Sequence, residues 1–305
     1  MRYNILDIRF KTLLSVIEEK NFSKAAEKLS LTQPAVSHHI NQLEAEYGVK
    51  IISRGKREIS LTPEGELIAN YAKRMAALES KLLYELKNID TAAKKIRIGV
   101  THTAESNMFT EIVGYYSLNN PNISIIIITD TTSNLYKMVE NYELDLAYVD
   151  GMIEDSSLKF FPVDKDDLVC VLSINNPLVS KKSVTLEELK KERLILRLQT
   201  STTRKIFEAS LEYNNDSIKN YNVVLEVDNI ATIKDLIRKD FGISVLAKSA
   251  CMDEVNKNKL AILPIEKLQM IRQNYIIYNV YFNHVEIIKD IISIYNNKLA
   301  LEKNI

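Results

Sequence analysis

The sequence predicts an α+α/β protein made of a small helical head, one long helix and a larger α/β body. Three observations carry that reading. In roughly the first sixty positions apolar residues recur at three- and four-residue spacings, in short runs broken by capping residues. From Thr62 to about Ile89 the helical spacing continues, with no proline after Pro63 and no glycine after Gly65. From Lys95 onward short runs rich in Ile, Val and Leu alternate with helix-length segments, the pattern of a doubly wound parallel sheet. With 305 residues, two or three units are expected. Lys plus Arg equals Asp plus Glu, 40 against 40, so whole-chain charge points to no partner and only local clusters are informative.

Residues 1–62 read as the head. Leu6, Phe10, Leu13, Leu14 and Ile17 pattern a helix so near the N-terminus that no signal peptide is expected. Between Phe22 and Arg54 two further helices are joined by a tight turn. Ser23 is expected to cap the first, which turns Ala25, Ala26 and Leu29 inward. Leu31 makes the turn. Thr32 can cap the next helix, whose first turn tolerates Pro34 because an N–H there is unpaired anyway. On that helix Val36, Ile40 and Leu43 form one buried stripe. The opposite face offers Gln33, Ser37, His38 and Asn41, all able to hydrogen-bond base edges or phosphates of double-stranded DNA. This is the layout of a helix-turn-helix with its second helix offered to the major groove. Gly48 ends that helix, Val49–Ile52 begins a strand, Gly55 supplies a turn, and Glu58–Leu61 returns as a second strand. The hairpin makes a wing, so the head is a winged helix-turn-helix. Lys50, Arg54, Lys56 and Arg57 cluster there with only Glu58 beside them. Elsewhere such a cluster is a solvated loop; beside a helix-turn-helix it is expected to hold phosphate or the minor groove.

Thr62-Pro63-Glu64 is a helix start, with a cap, a proline in the first position and an acid in the first turn. Over this linker helix, residues 63–91, Ile68, Tyr71, Met75, Leu78, Leu82 and Ile89 step by threes and fours. Such a seam pairs two helices, so a homodimer is expected; the alternative is a helix packed on its own domain. Two copies would present two recognition helices to half-sites about one helical turn apart.

The body spans residues 92–305. Strands are expected at Ile96–Val100, Ile123–Thr129 and Leu144–Val149, and helices at Ala104–Leu118 and Ser133–Tyr142. The Ile123–Thr129 run is apolar enough to suggest burial on both faces. Leu158–Val163 and then Asp167–Leu172 lead into a second unit of the same kind. Its expected helices are Leu186–Lys191, Thr202–Tyr213 and Asn229–Lys239, with strands Leu194–Leu198, Val223–Val227 and Ile243–Leu246. A strand near Tyr275–Val280 and a helix at His284–Leu301 return to the first unit. The result is a two-lobed α/β domain resembling periplasmic binding proteins, with lobe I at 92–162 and 267–305 and lobe II at 163–266. The cleft between such lobes is the default ligand site.

In open α/β sheets ligands sit outside the carboxyl ends of strands, near helix N-termini that attract anions. Three such junctions are rich in hydroxyls: Thr101-His102-Thr103, Asp130-Thr131-Thr132-Ser133-Asn134, and Gln199-Thr200-Ser201-Thr202-Thr203-Arg204. Asn229 stands at a fourth helix start. Each alone is an ordinary cap. Their recurrence at strand ends is what makes Thr101, His102, Thr103, Thr131, Thr132, Ser201, Thr203, Arg204 and Asn229 candidate contacts to a small polar anion, with Arg204 or His102 as charge partner.

Other chemistries find little support. No apolar run approaches the roughly 20 residues of a membrane span. Cys170 and Cys251 lie far apart in apolar surroundings and read as two unpaired structural thiols of a cytosolic protein. His38, His39, His102 and His284 have no metal-ligand spacing. There is no nucleophile elbow, no phosphate-cradling glycine loop and no metal cluster, and 7 glycines in all argue against a glycine-rich nucleotide fold. An enzyme is therefore not expected, nor any cofactor. An extracytoplasmic solute-binding protein would need an export signal.

The run Phe22-Ser23-Lys24-Ala25-Ala26, Leu29, Thr32-Gln33-Pro34-Ala35-Val36-Ser37, Ile40, Leu43-Glu44, Gly48-Val49, Arg54 and Leu61-Thr62-Pro63-Glu64-Gly65 resembles the N-terminal signature of LysR-type transcriptional regulators. The match is dense over about the first 65 residues; beyond them it is one of architecture and short motifs. It implies a cytoplasmic, sequence-specific DNA-binding regulator controlled by a small effector held between the lobes. Gln33, Pro34, Ser37, His38 and Asn41 would meet the major groove, while Thr32, Lys50, Arg54, Lys56 and Arg57 would hold the backbone or minor groove. It also implies a homodimer assembling further into a homotetramer, with RNA polymerase as a partner. The sequence departs from the family pattern at three places. Ile52 replaces the usual aromatic of the wing. Thr200 and Thr202 replace glycines around Ser201 and Thr203-Arg204, which lets the backbone approach a ligand less closely. Asp240-Phe241-Gly242 keeps only the second of two turn glycines.

Overall fold

The computed structural model describes residues 6–54, 59–87, 94–104, 108–151 and 157–303, so Gly55–Glu58 and Ile89 lie outside the described residues. Two compact units result, the head with its long helix and the α/β body.

The head contains α1 (Ile8–Glu19), α2 (Phe22–Leu29) and α3 (Gln33–Tyr47). The cap of α2 is Asn21, not Ser23. Asn21 Oδ1 accepts the Ser23 and Lys24 N–H groups at 2.9 and 3.1 Å, which leaves Ser23 inside the first turn. Thr32 caps α3 by accepting the Ala35 N–H, and Gly48 closes it in the left-handed region at φ +66°. Two small cores lock the three helices: Leu13, Ile40, Leu43 and Ile51 in one, Val16, Ala25, Ala26 and Val36 in the other. Ile52 packs against both, so the aliphatic residue fills the place of the aromatic the resemblance would expect.

The wing strands are β1 (Ile52–Arg54) and β2 (Ile59–Leu61), antiparallel with Ile52 opposite Leu61. The first strand starts later than its apolar pattern suggests because the preceding backbone donors are already taken. Val49 N–H bonds the Glu44 carbonyl, and the Ile51 and Ile52 N–H groups bond the Glu44 carboxylate at 2.9 and 3.4 Å. Thr62 then caps α4 (Pro63–Lys87) through the Gly65 N–H at 2.9 Å. At Gly65 a Cβ would stand 2.1 Å from the Ile51 carbonyl oxygen, so the helix can approach the wing only where there is no side chain. Gly65→Ala is expected to destabilise the head by about 1–3 kcal/mol, from overpacking against backbone that cannot yield. Thermal unfolding checks it.

On α4 the residues turned toward the head are Ala69, Ala72 and Glu79. Glu79 accepts the Leu6 N–H at 3.0 Å and pairs with Lys11 at 3.1 Å. Tyr71, Met75, Leu78 and Leu82 of the expected seam are 39–55% exposed, while Ile68 packs on the head.

In the body, β3 (Lys94–Thr101), α5 (Met108–Asn119), β4 (Ile123–Asp130), α6 (Thr132–Glu140) and β5 (Leu146–Asp150) open the first lobe. Ala104 precedes α5 rather than beginning it. Next comes β6 (Lys159–Ser173), one strand of 15 residues where the sequence pattern suggested two. The second lobe holds α7 (Leu186–Lys191), β7 (Arg193–Arg197), α8 (Thr202–Tyr213), β8 (Asn222–Val227) and α9 (Ile230–Arg238). It continues with β9 (Ser244–Ala247) and with α10 (Met252–Asn256) and β10 (Leu260–Leu263), which the pattern did not suggest. The chain returns through β11 (Ile271–Tyr278) and ends in α11 (Val285–Lys303).

The main sheet runs β10-β6-β11-β5-β3-β4, with β9 also on β6. It is mixed: β3 and β5 are parallel, whereas β11 is antiparallel to both β5 and β6. The first half of β6 pairs with β11 and its second half with β9 and β10, so one strand belongs to both lobes. Pro162 sits at the register shift between Asn274 and Tyr275, where its missing N–H costs least. The expectation that β4 is buried on both faces is corrected. It is the last strand of the sheet, and Ile127 is exposed.

Separate cores fill the lobes. One, built on Ile98, Phe109, Tyr148 and Ile288, and a smaller one around Leu135 and Val149 flank the first sheet. The other, around Val171, Leu196, Phe207 and Ile237, fills the second lobe and includes both cysteines. Cys170 and Cys251 are free and buried, and burial pushes the Cys251 thiol up to about 12 and the Cys170 thiol higher still. Neither is poised to react.

Candidate functional site

Two surfaces gather the residues that carry chemistry. The first is the outer face of α3. Thr32, Gln33, Pro34, His38 and Asn41 are exposed and Ser37 is half-buried, whereas Val36, Ile40 and Leu43 are buried. Gln33 Nε2 donates to Ser37 Oγ at 3.2 Å, one turn apart. The neighbouring His39 turns inward, its Nδ1 2.9 Å from Thr12 Oγ1, and so ties α3 to α1. Lys50 is exposed but paired with Glu44 at 2.6 Å. Arg54 ends β1; its side chain, Lys56 and Arg57 lie outside the described residues.

Glu44 is a residue whose part is not legible in sequence. Burial pushes its carboxyl up, but hydrogen bonds from Lys50 and from the Ile51 and Ile52 N–H groups outweigh that and hold it below the usual range. Its ionised form therefore anchors the start of the wing to the end of the recognition helix.

The second surface is a cavity of about 280 Å³ between the lobes of the body. Thr101, His102, Thr103, Thr131, Thr132 and Ser201 all line it. The three hydroxyl-rich junctions, distant in sequence, thus meet at the carboxyl ends of β3 and β4 and at the N-terminus of α8. Three expected contacts lie elsewhere. Along α8 each residue turns about 100°, so Ser201, Thr202 and Lys205 face the cavity while Thr203 and Arg204 turn into the lobe with Phe207 and Leu211. Arg204 is buried there against Glu208 and, at 3.5 Å, Glu226. Asn229 is spent as a cap, accepting the Thr232 N–H at 3.0 Å.

The cavity's charges are instead Arg197 and Lys205, with Asp130, Asp150 and Asp228. Arg197, at the end of β7, is 3% exposed. Its Nη2 donates to Asp228 at 3.2 Å, while Nε and Nη1 have no hydrogen-bond partner among the described residues. Desolvation lowers its pKa, against the pull of Asp228. Ser201 makes no side-chain cap at α8, so the first turn of that helix faces the cavity without one.

On the other wall Asp150 accepts Thr132 Oγ1 at 2.6 Å and pairs with Arg272 at 2.9 Å. Arg272 reaches Asp166 at 2.8 Å, and Asp166 accepts Ser249 Oγ at 2.6 Å and its N–H at 3.1 Å. A continuous polar chain therefore runs from the cavity wall through β5, β11 and β6 into the second lobe. Among the described residues no His, Cys, Asp and Glu group could hold a metal ion, and no helix is long and apolar enough to cross a membrane.

Comparison with known proteins agrees with this layout. Residues 9–66 match the bacterial regulatory helix-turn-helix proteins of the lysR family, and residues 90–280 match the LysR substrate binding domain. A relative in Phaeodactylum tricornutum, described as a probable RuBisCO transcriptional regulator, is 28% identical over 277 residues, covering 89% of this chain and 90% of its own. The crystal structure of full-length CbnR complexed with target DNA superposes with a TM-score of 0.67 at 14% identity, covering 95% of this chain and 98% of its own. The CcmR regulatory domain of Synechocystis PCC6803 in complex with 2-PG does so at 0.58 and 22% identity, covering 67% of this chain and 98% of its own. With its winged head, long helix and two-lobed body all matched, the chain belongs to the LysR family of DNA-binding transcriptional regulators with an effector-binding domain.

Proposed function

We propose that the outer face of α3 reads an operator in the cytoplasm and that the inter-lobe cavity takes a small anion that controls it. The observation that carries the second half is Arg197, a buried guanidinium with two nitrogens lacking acceptors on a cavity wall. A bound anion would supply them. The 2-PG held by the CcmR domain is an anion of suitable size. In this reading residues 1–62 bind DNA, 63–91 pair two chains, and 92–305 sense the effector, with lobe I at 92–162 and 267–305 and lobe II at 163–266.

Gln33, Pro34, Ser37, His38 and Asn41 contact bases, and Thr32, Lys50, Arg54, Lys56 and Arg57 hold the backbone or minor groove. Effector contacts come from Thr101, His102, Thr103, Thr131, Thr132 and Ser201. Two copies pair along α4, pairs assemble further into a tetramer, and the bound assembly acts on RNA polymerase. The effector biases two arrangements of the assembly and so its seat on DNA. The body is a sensor rather than an enzyme, as in the regulators it resembles.

Replacing His38 by Ala tests the reading face. We expect the operator to lose roughly 1–3 kcal/mol of discrimination at one base pair, with binding to unrelated DNA nearly unchanged. Footprints on matched and mismatched sites report it. Equal weakening on every sequence would make His38 a backbone contact.

A further inference from the structure

The cavity wall facing Arg197 points to what the anion must carry at its other end. Arg197 and Lys205 both stand on the second lobe, beside the uncapped first turn of α8. Opposite them the first lobe presents Asp130 and Asp150. Asp150 already has partners: it pairs with Arg272 at 2.9 Å and accepts Thr132 Oγ1 at 2.6 Å. Asp130 Oδ1 accepts the Thr131 N–H at 2.6 Å and Asn134 Nδ2 at 2.8 Å, and no cation pairs with it among the described residues. Lys205 likewise has no ion-pair partner there. Arg197 is paired with Asp228 at 3.2 Å on its own wall, so the unpaired charges are Lys205 on the second lobe and Asp130 on the first.

A plain diacid would satisfy Lys205 and the two free nitrogens of Arg197 but would set a second anion against Asp130, a repulsive arrangement. We propose that the effector is a small acid or phosphate ester bearing a hydrogen-bond donor, ammonium or hydroxyl, at the end remote from its anionic group, with Asp130 receiving that donor. The proposal rests on the anionic-effector reading and narrows it. A site built to accept a donor rejects analogues lacking it, because its own acceptor is then buried without a partner.

The test uses the full chain and matched sets of probes: butyrate, γ-hydroxybutyrate and γ-aminobutyrate, then ethyl phosphate, hydroxyethyl phosphate and phosphoethanolamine, with succinate as the plain diacid and inorganic phosphate as the bare anion. Affinities come from calorimetry. The donor-bearing members of a set should bind at least about tenfold more tightly than the donor-free member. Whether the hydroxyl or the amino member of a set leads tells hydroxyl from ammonium. Asp130→Asn should erase that preference by weakening the donor-bearing probes and not the donor-free ones, since Asn keeps the Oδ1 acceptor that holds Thr131. Arg197→Gln should weaken every probe. If donor-free acids bind as tightly as the others, or if Asp130→Asn keeps the preference, the donor assignment is wrong while an anionic effector survives. If no probe binds, inorganic phosphate included, the anionic reading itself falls.

Discussion

Replacing Arg272 by Met is expected to destabilise the body by about 3–5 kcal/mol, the cost of leaving buried carboxylates without their cation. Arg272 is 2% exposed, and its guanidinium spans Asp150 and Asp166, both 5% exposed. Burial alone would lower its pKa; the two carboxylates more than reverse this and hold it above the ordinary arginine value, so it is charged at every accessible pH. The arrangement joins three strands: Asp150 ends β5, Arg272 lies on β11 and Asp166 on β6. For a unit of this size the loss amounts to about 10 °C or more in melting temperature. Arg272→Lys should recover only part of it, because one ammonium cannot reach two carboxylates in the way a planar fork does. A melting temperature unchanged in Arg272→Met would show that the network contributes nothing net.

The second large effect lies on α4. Replacing Leu78 and Leu82 together by Glu should yield a folded monomer with specific DNA affinity reduced about a hundredfold or more, the size of a lost second binding module. Both leucines are more than 40% exposed in the single chain, so their replacement leaves the chain's own packing alone. Burying a glutamate in a paired-helix seam, by contrast, is strongly unfavourable. Sedimentation measures the first half of the prediction and gel shift the second. A variant that remains dimeric would place the pairing surface elsewhere.

What was legible in the sequence was mostly local. Helix α8 matches its expected bounds at Thr202 and Tyr213, because Ser201 and the spacing of Phe207 and Leu211 are signals within one helix. The helix-turn-helix was legible for the same reason. Its one small error, Ser23 for Asn21, came from two good caps lying two residues apart. What escaped is non-local. Arg197 reads as an ordinary strand end until Asp228, 31 residues on, is seen to take only one of its nitrogens. The links from Arg272 to Asp150 and Asp166 span 122 and 106 residues. Strand β6 looked like two strands because Pro162 and the charged run from Asp164 to Asp167 break its apolar pattern just where it passes between lobes. Strand β4 looked central because it is a run of isoleucines, yet sheet order rather than composition decides burial. Adjacency to Ser201 predicts Thr203 and Arg204 in the cavity, and helical rotation removes them.

The most direct test of the central claim is a gel shift of the full chain on the DNA flanking its own gene, against unrelated DNA of equal length at physiological salt. The account predicts a discrete complex at concentrations at least about a thousandfold below those needed for the unrelated fragment. Equal binding to both fragments would contradict it.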